Sequence, residues 1–405
     1  MYLEIPKKLK PLVEQAHLVA QEVFRPISRK YDLAEHAYPK ELDMLAAVMD
    51  GMNEGDGAGG AGAGKLKRER KDNGGVRNGA NMATVLGLTE LCWGDVGLAL
   101  TIPRQGLGNA AIAAVANEEQ LARLSGKWAA MAITEPNAGS DSAAIGTTAR
   151  LERGEHGDHY VLNGEKIFVT AGERCDCVVV WASLDPKLGR AAIKSFVVEK
   201  GTPGMQVARL EHKLGIKASD TATILFTDCR VPKENLLGNP EIETTQGFGG
   251  VMQTFDNTRP VVAAMGIGVA RASLEKAREL LRSEGYLADY DRNVWSTSAV
   301  EAELYRMEAD LEAARLLTVR AAWLADNGIP NSVEASMAKA KAGRTANHVT
   351  LRCAEICAAL GYGEHELLEK WARDSKILDI FEGTQQIQLL IVARRLLGKS
   401  SAELR

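Results

Sequence analysis

At 405 residues the chain exceeds what one hydrophobic core usually supports, so two or three domains are expected. Its 45% hydrophobic and 25% charged residues are those of an ordinary globular protein, and the formal net charge of -4 gives no electrostatic reason to expect nucleic acid or an anionic membrane. No apolar run approaches the roughly 18 residues needed to span a bilayer, and the opening MYLEIPKKLK carries no hydrophobic signal region, which points to the cytoplasm.

From about residue 6 to residue 128 the pattern is helical. Apolar positions such as Leu12, Ala16, Val19, Ala20 and Val23 recur at three and four residues, and residues 1–128 are expected to form an N-terminal all-α domain. Residues 51–79 interrupt it with GDGAGGAGAG followed by KLKRERKDN, a segment too poor in apolar surface to offset its ordering entropy and expected to be a mobile loop. Within it Gly57, Gly59 and Gly62 spell GxGxxG. No strand precedes them and charges follow, so a dinucleotide fold is rejected.

Between 129 and 243 the rhythm changes. HYVLNG, KIFVT, CVVVWAS, KSFVVEK and ATILFTD are short, rich in Val, Ile and Thr, and separated by Gly and Pro turns, which predicts a β-barrel or sandwich domain. From 244 to 405 helical periodicity returns, near 246–284, 297–327, 331–360, 364–380 and 385–397, and predicts a C-terminal helical bundle. The fold class is therefore α+β multidomain, helices then strands then helices.

The six cysteines form no CxxC pair and no metal-ligand spacing with a histidine, so no metal is expected. Cys353 and Cys357, one helical turn apart, read as a buried inert pair. The seven histidines are scattered, and His156 and His159 read as solvated surface in a Gly-rich turn.

Two segments carry chemistry. ITEPNAGSD, Ile133 to Asp141, joins an apolar stretch to a turn with polar side chains on either side, as a loop holding a polar ligand edge would. IFEGTQQIQ, Ile380 to Gln388, breaks a helical pattern at Glu382, continues through Gly383, which allows close backbone approach, and restarts at Thr384, a plausible N-cap.

The ordered set TEPNAGSD, NGEKIFVT, KLGIKASDTATILFTDCRVP, FDNTRP and IFEGTQQIQ resembles the acyl-CoA dehydrogenase family from about residue 90 to the end. The resemblance implies FAD as cofactor, an acyl-CoA thioester as substrate and electron-transfer flavoprotein as acceptor. It places Met131, Ile133, Thr134, Gly139, Ser140, Phe168, Val169, Thr170, Thr384 and Gln386 on the cofactor, and Ser140, Asp256, Arg259, Gly383 and Arg394 on the substrate. Glu382 is then the base that removes the α-proton while a hydride passes from the β-carbon to flavin N5, giving a trans-2-enoyl-CoA, the chemistry of fatty-acid β-oxidation. Thr258 stands where some members carry an alternative glutamate base.

Two family elements are missing. An Arg-x-x-Phe-Gly segment that reaches a neighbouring subunit's FAD has no counterpart in Leu281 to Val300, where Arg282 and Arg292 are loose candidates. A Gln-x-x-Gly-Gly segment is replaced by EICAALG, with Glu355, Ala358 and Ala359 at the matching positions. A carboxylate would repel a pyrophosphate and methyl groups would obstruct it. Both a homotetramer or dimer and an α2β2 heterotetramer with a related subunit are open. So are an oxidase on the same scaffold and a non-catalytic subunit of a dehydrogenase complex. Acyl chain length is not legible from Leu98 to Ile112, where Gln105 and Gly106 could floor a short pocket or line a long one.

Overall fold

A computed structural model describes residues 4–54, 79–104, 106–154, 157–242, 249–286, 288–400 and 403, with backbone alone at 48–54 and 249–257. Most of the segment read as a mobile loop, with Gly57, Gly59 and Gly62, lies outside the described residues, as does His156. The helices that open the chain are α1 (Lys10–Val19), α2 (Arg25–Leu33), α3 (Glu41–Glu54), α4 (Ala80–Gly94), α5 (Val96–Ala99), α6 (Leu107–Val115) and α7 (Glu118–Arg123). The strands are β1 (Ala129–Ala132), β2 (Thr148–Glu152), β3 (His159–Thr170), β4 (Cys177–Ser183), β5 (Ile193–Glu199), β6 (Met205–Leu210) and β7 (Thr221–Pro232). The closing helices are α8 (Gly249–Ser283), α9 (Ala299–Asp326), α10 (Ser332–Ile356), α11 (Ala358–Tyr362), α12 (Leu368–Ser375) and α13 (Gln385–Leu397).

Local chemistry sets the helix ends. Asn117 with Gln120 and Ser298 with Glu301 make capping boxes at α7 and α9, each satisfying two backbone donors left open by the first turn. Thr384 caps α13, and Gly398 closes it in the left-handed conformation at φ 64°. The pattern expected to be continuous over 331–360 is divided between α10 and α11, where Ala358 takes φ 48°.

The strands form a seven-stranded sheet in the order β1-β4-β2-β3-β7-β6, with β5 paired to β4. HYVLNG and KIFVT are one long strand, β3, paired antiparallel to β7 with register shifts between Leu162 and Gly164 and between Lys166 and Val169. The run CVVVWAS is buried along its whole length. It is flanked by parallel β1 and antiparallel β5, with Val178 and Val180 facing the β core and Cys177 and Val179 packing on Ala111 and Ile112 of α6.

The N-terminal and C-terminal helices share one core. Phe24, Leu42, Cys92 and Leu98 from the first group pack with Val269, Met307, Val349 and Trp371 from the second. A buried charged joint ties all three parts together. Lys370 on α12 reaches Asp95, the N-cap of α5, at 2.7 Å and Asp374 at 2.5 Å, while Asp374 accepts the backbone N–H of Ile216, in the β6–β7 turn, at 2.5 Å. Ser28 also donates to Asp95. All six cysteines are free and buried. Burial pushes Cys175 and Cys177 up to about 12, so they behave as small apolar residues.

Candidate active site

Glu382 sits between a 3-10 turn, Lys376–Asp379, and α13. It takes φ 56° and Gly383 takes φ 88°, two successive left-handed residues that turn the chain sharply before Thr384 restarts the helix. A non-glycine residue held this way persists only where its surroundings fix it. The fixing groups are specific. Gln388 Nε2 donates to the carbonyl of Glu382 at 3.0 Å and to that of Gly383 at 3.2 Å, and Lys339 Nζ donates to the Gly383 carbonyl at 2.6 Å. A Cβ at position 383 would lie 2.5 Å from Gln388 Nε2 and displace that side chain, so a substitution there would strain φ and disturb the Gln388 hydrogen bonds.

The Glu382 carboxylate accepts from the Thr258 hydroxyl at 2.8 Å. Burial raises its pKa above the usual carboxylate range, opposed by the Thr258 hydrogen bond and by the charges of Arg259 and Lys339. Lys339 is fully buried, and its pKa falls to about 8, chiefly from burial, with Asp379 and Glu382 holding it up. Among the described residues, no hydrogen bond uses the N–H of Glu382. The junction therefore offers a desolvated carboxylate and a backbone donor on one residue, the pair needed to take a proton from a carbon while holding the adjacent carbonyl oxygen.

The TEPNAGSD loop is a second group. Glu135, at its base, accepts from Gly146 N at 2.6 Å, Thr147 N at 3.0 Å, Thr147 Oγ1 at 2.5 Å and Lys166 Nζ at 2.7 Å. Lys166 also donates to the carbonyl of Ile133 at 3.0 Å. Burial drives Lys166 down to about 8. Burial also works to raise Glu135, but Lys166, Thr147 and Gly146 outweigh it and leave that carboxyl below its ordinary value. With the loop anchored beneath, Gly139 and Ser140 stand exposed at its tip, and Thr134 is half-buried with its carbonyl accepting from Ile167 N at 2.9 Å. Across the bulge in β3, Phe168 takes φ 55° and is 61% exposed, which presents its ring as a flat wall beside Thr170. The exposed ring and the hydroxyls of Thr134, Ser140 and Thr170 are the apolar face and polar edge that a planar aromatic cofactor requires.

The structure does not bring every residue expected at the site to these two groups. Val169 is packed inside the β core, so only its backbone can face a ligand. Arg394 lies nine residues along α13 from Gln385, about 13 Å by helical rise, towards the far end of that helix. The hydroxyl of Thr384 is used as the helix cap, accepting from Ile387 N at 3.4 Å, and Gln386 is exposed. Met131 and Ile133 are half-buried at the end of β1. Arg259 is buried, with its charge acting on Glu382, and the Asp256 side chain lies outside the described residues. At the degraded segment, Glu355 pairs with Arg352, which also holds Glu303 at 2.5 and 2.7 Å.

Lys339, Gln388 and Lys166 were missed as site residues, though the two lysines left a signal in the pattern. Lys339 interrupts the buried small-residue stripe of α10 formed by Ala335, Ala338, Ala342 and Ala346. Lys166 occupies the inward register of Tyr160 and Leu162 on β3. A lysine at either place needs a partner.

Helices flanking a sheet, with a carboxylate at a left-handed helix junction, are the architecture on which the comparisons with known proteins bear. The chain matches the family model for the acyl-CoA dehydrogenase middle domain over residues 130–229 and that for the acyl-CoA dehydrogenase C-terminal domain over residues 245–397. It is 39% identical to the mitochondrial short-chain specific acyl-CoA dehydrogenase of Mus musculus over 67% of this chain, a match spanning 63% of the mouse enzyme and so less than two thirds of its length. Butyryl-CoA dehydrogenase from Megasphaera elsdenii superposes with a TM-score of 0.83 at 30% identity, covering 98% of this chain and 100% of that one. A chain in the electron transferring flavoprotein structure of Acidaminococcus fermentans superposes with a TM-score of 0.81 at 31% identity, covering 98% and 100%. This chain belongs to the acyl-CoA dehydrogenase family.

Proposed function

We propose that the chain is a flavin-dependent acyl-CoA dehydrogenase that converts an acyl-CoA thioester to the trans-2-enoyl-CoA, with Glu382 as base. One observation carries this reading: Glu382 combines a half-buried carboxylate, its pKa raised by desolvation, with a backbone N–H that has no partner among the described residues. Bound FAD supplies the acceptor for the hydride that leaves the β-carbon. The chain's own residues do the rest. The Glu382 carboxylate, aimed by Thr258, takes the α-proton, and its N–H donates to the thioester oxygen as negative charge builds there. Phe168, Thr134, Ser140 and Thr170 would hold the cofactor at the β face, through ring contact and hydroxyl donors. Similarity to butyryl-CoA and short-chain enzymes supports a short acyl chain, and similarity to the Acidaminococcus fermentans chain supports electron-transfer flavoprotein as the acceptor.

The test is an anaerobic titration of the purified chain, at a fixed FAD-to-protein ratio, with straight-chain thioesters of increasing length while following flavin absorbance. Bleaching that is strongest for short thioesters supports the reading, and no bleaching by any thioester overturns it. A second reading, an α2β2 assembly in which a related subunit completes the cofactor site, rests on Glu355 and Ala358 replacing Gln and Gly. Co-expression with such a subunit should then raise flavin content, whereas full FAD occupancy and turnover in the isolated chain would remove the need for a partner.

A further inference from the structure

Sequence spacing gives no metal site, yet folding brings together three ligating side chains that nothing in the proposed reaction uses. Glu35 and His36 follow the C-terminal end of α2, and His212 follows β6 from the other side of the N-terminal and β-sheet boundary. One ligand atom from each of the three lies within 4.8 Å of the others. Glu35 Oε2 and His212 Nδ1 are 2.9 Å apart, and the two imidazole rings stand 5.1 Å apart between centroids.

His36 is the informative member. It is held at φ 69°, a left-handed conformation that a non-glycine residue adopts only where its surroundings fix it. Arg174 fixes it there by donating to the carbonyls of His36 at 3.2 Å and Ala37 at 3.0 Å. Both ring nitrogens of this rigidly placed imidazole are buried without a hydrogen-bond partner, although an imidazole ordinarily makes at least one.

We infer that Glu35, His36 and His212 form a binding site for a single divalent ion of the zinc class, clasping the end of α2 to the turn after β6. Two imidazoles and one carboxylate are a donor set suited to zinc, leaving a fourth position for water. Tetrahedral bonds of about 2.0–2.2 Å set ligand atoms roughly 3.3–3.6 Å apart, so Glu35 Oε2 and His212 Nδ1, at 2.9 Å, part slightly, and the His212 side chain, 83% exposed, is free to adjust. Binding replaces the Glu35 to His212 hydrogen bond and gives the His36 ring its missing partner. Lys213, Lys217 and Arg174 act against the ion by charge. Two of them are already engaged, Lys213 with the Ser219 carbonyl at 2.8 Å and Arg174 with Asp220 at 3.4 Å.

The experiment uses the full chain, stripped with a chelator, and titrates it with zinc chloride by calorimetry and with cobalt chloride by visible absorption. The expected result is one ion per chain, the absorption of a four-coordinate cobalt site, and a melting temperature that rises on zinc addition. His36→Ala and His212→Gln should each weaken binding at least tenfold, while His365→Ala, at another exposed histidine, leaves it unchanged. Should His36→Ala fail to fold, His212→Gln at its exposed position decides. Absence of saturable binding, or binding that survives His212→Gln, overturns the site.

Discussion

Glu382, half-buried, and Lys339, fully buried, illustrate how two ionisable groups divide one task. The carboxylate is made a stronger base by removal from water, and the ammonium holds the backbone that carries it. Replacing Glu382 by Gln keeps shape and backbone, so acyl-CoA binding should persist while turnover falls by about 10²–10⁴-fold, checked by thioester binding alongside steady-state rates. Linkage gives this substitution a signature beyond activity. A carboxyl whose folded pKa lies above its unfolded value contributes stability at low pH that is lost as pH rises through the folded pKa. Glu382→Gln should therefore raise the melting temperature more at pH 8 than at pH 5, and a gain independent of pH would contradict the desolvated carboxylate. For the same reason the acid limb of kcat/KM should have its midpoint above the usual carboxylate range. Lys339→Met leaves the Gly383 carbonyl without its lysine donor. It should lower kcat by at least tenfold with little effect on global unfolding, and measured kcat together with a urea midpoint separates positioning from stability. The helix break that carries Glu382 and Gly383 was legible in IFEGTQQIQ. The lysine was not, because its partner comes from another helix and only the fold joins them.

At the scale of the element, the TEPNAGSD loop owes its shape less to its own turn residues than to Glu135 and Lys166 below it. Removing one member of a buried ion pair leaves an uncompensated charge, typically at a cost of about 3–5 kcal/mol. Lys166→Met should be destabilising on that order in urea unfolding and should lower flavin content. The double variant Lys166→Met with Glu135→Leu should regain much of the stability while the loop, no longer held by carboxylate hydrogen bonds, keeps its flavin defect. The strands were legible from their Val and Ile runs, as were the long closing helices from their period. The β3 bulge that exposes Phe168 was not, since a register shift arises from pairing with β7 rather than from any residue in the run. Nor was the break at Ala358, a left-handed alanine that no propensity would choose.

Across the whole molecule, the helices at the two ends of the chain fold as one body around Phe24, Leu98, Met307 and Trp371. Helix content should consequently be lost in a single transition, with no early melting of the N-terminal segment, in thermal unfolding followed by circular dichroism. The alternation of helical, β and helical segments was visible in the sequence because each rests on local periodicity. That the outer segments share a core was not, because periodicity marks which face is buried without saying against what. The Lys370 joint has a consequence for how ligands enter. Asp95 and Asp374 meet on one ammonium and Asp374 also accepts the Ile216 N–H, so swinging the sheet away from the helices would take from a buried carboxylate its backbone donor. Opening of the sheet from the helices is thereby made costly, which favours ligand entry by small excursions of side chains and surface turns.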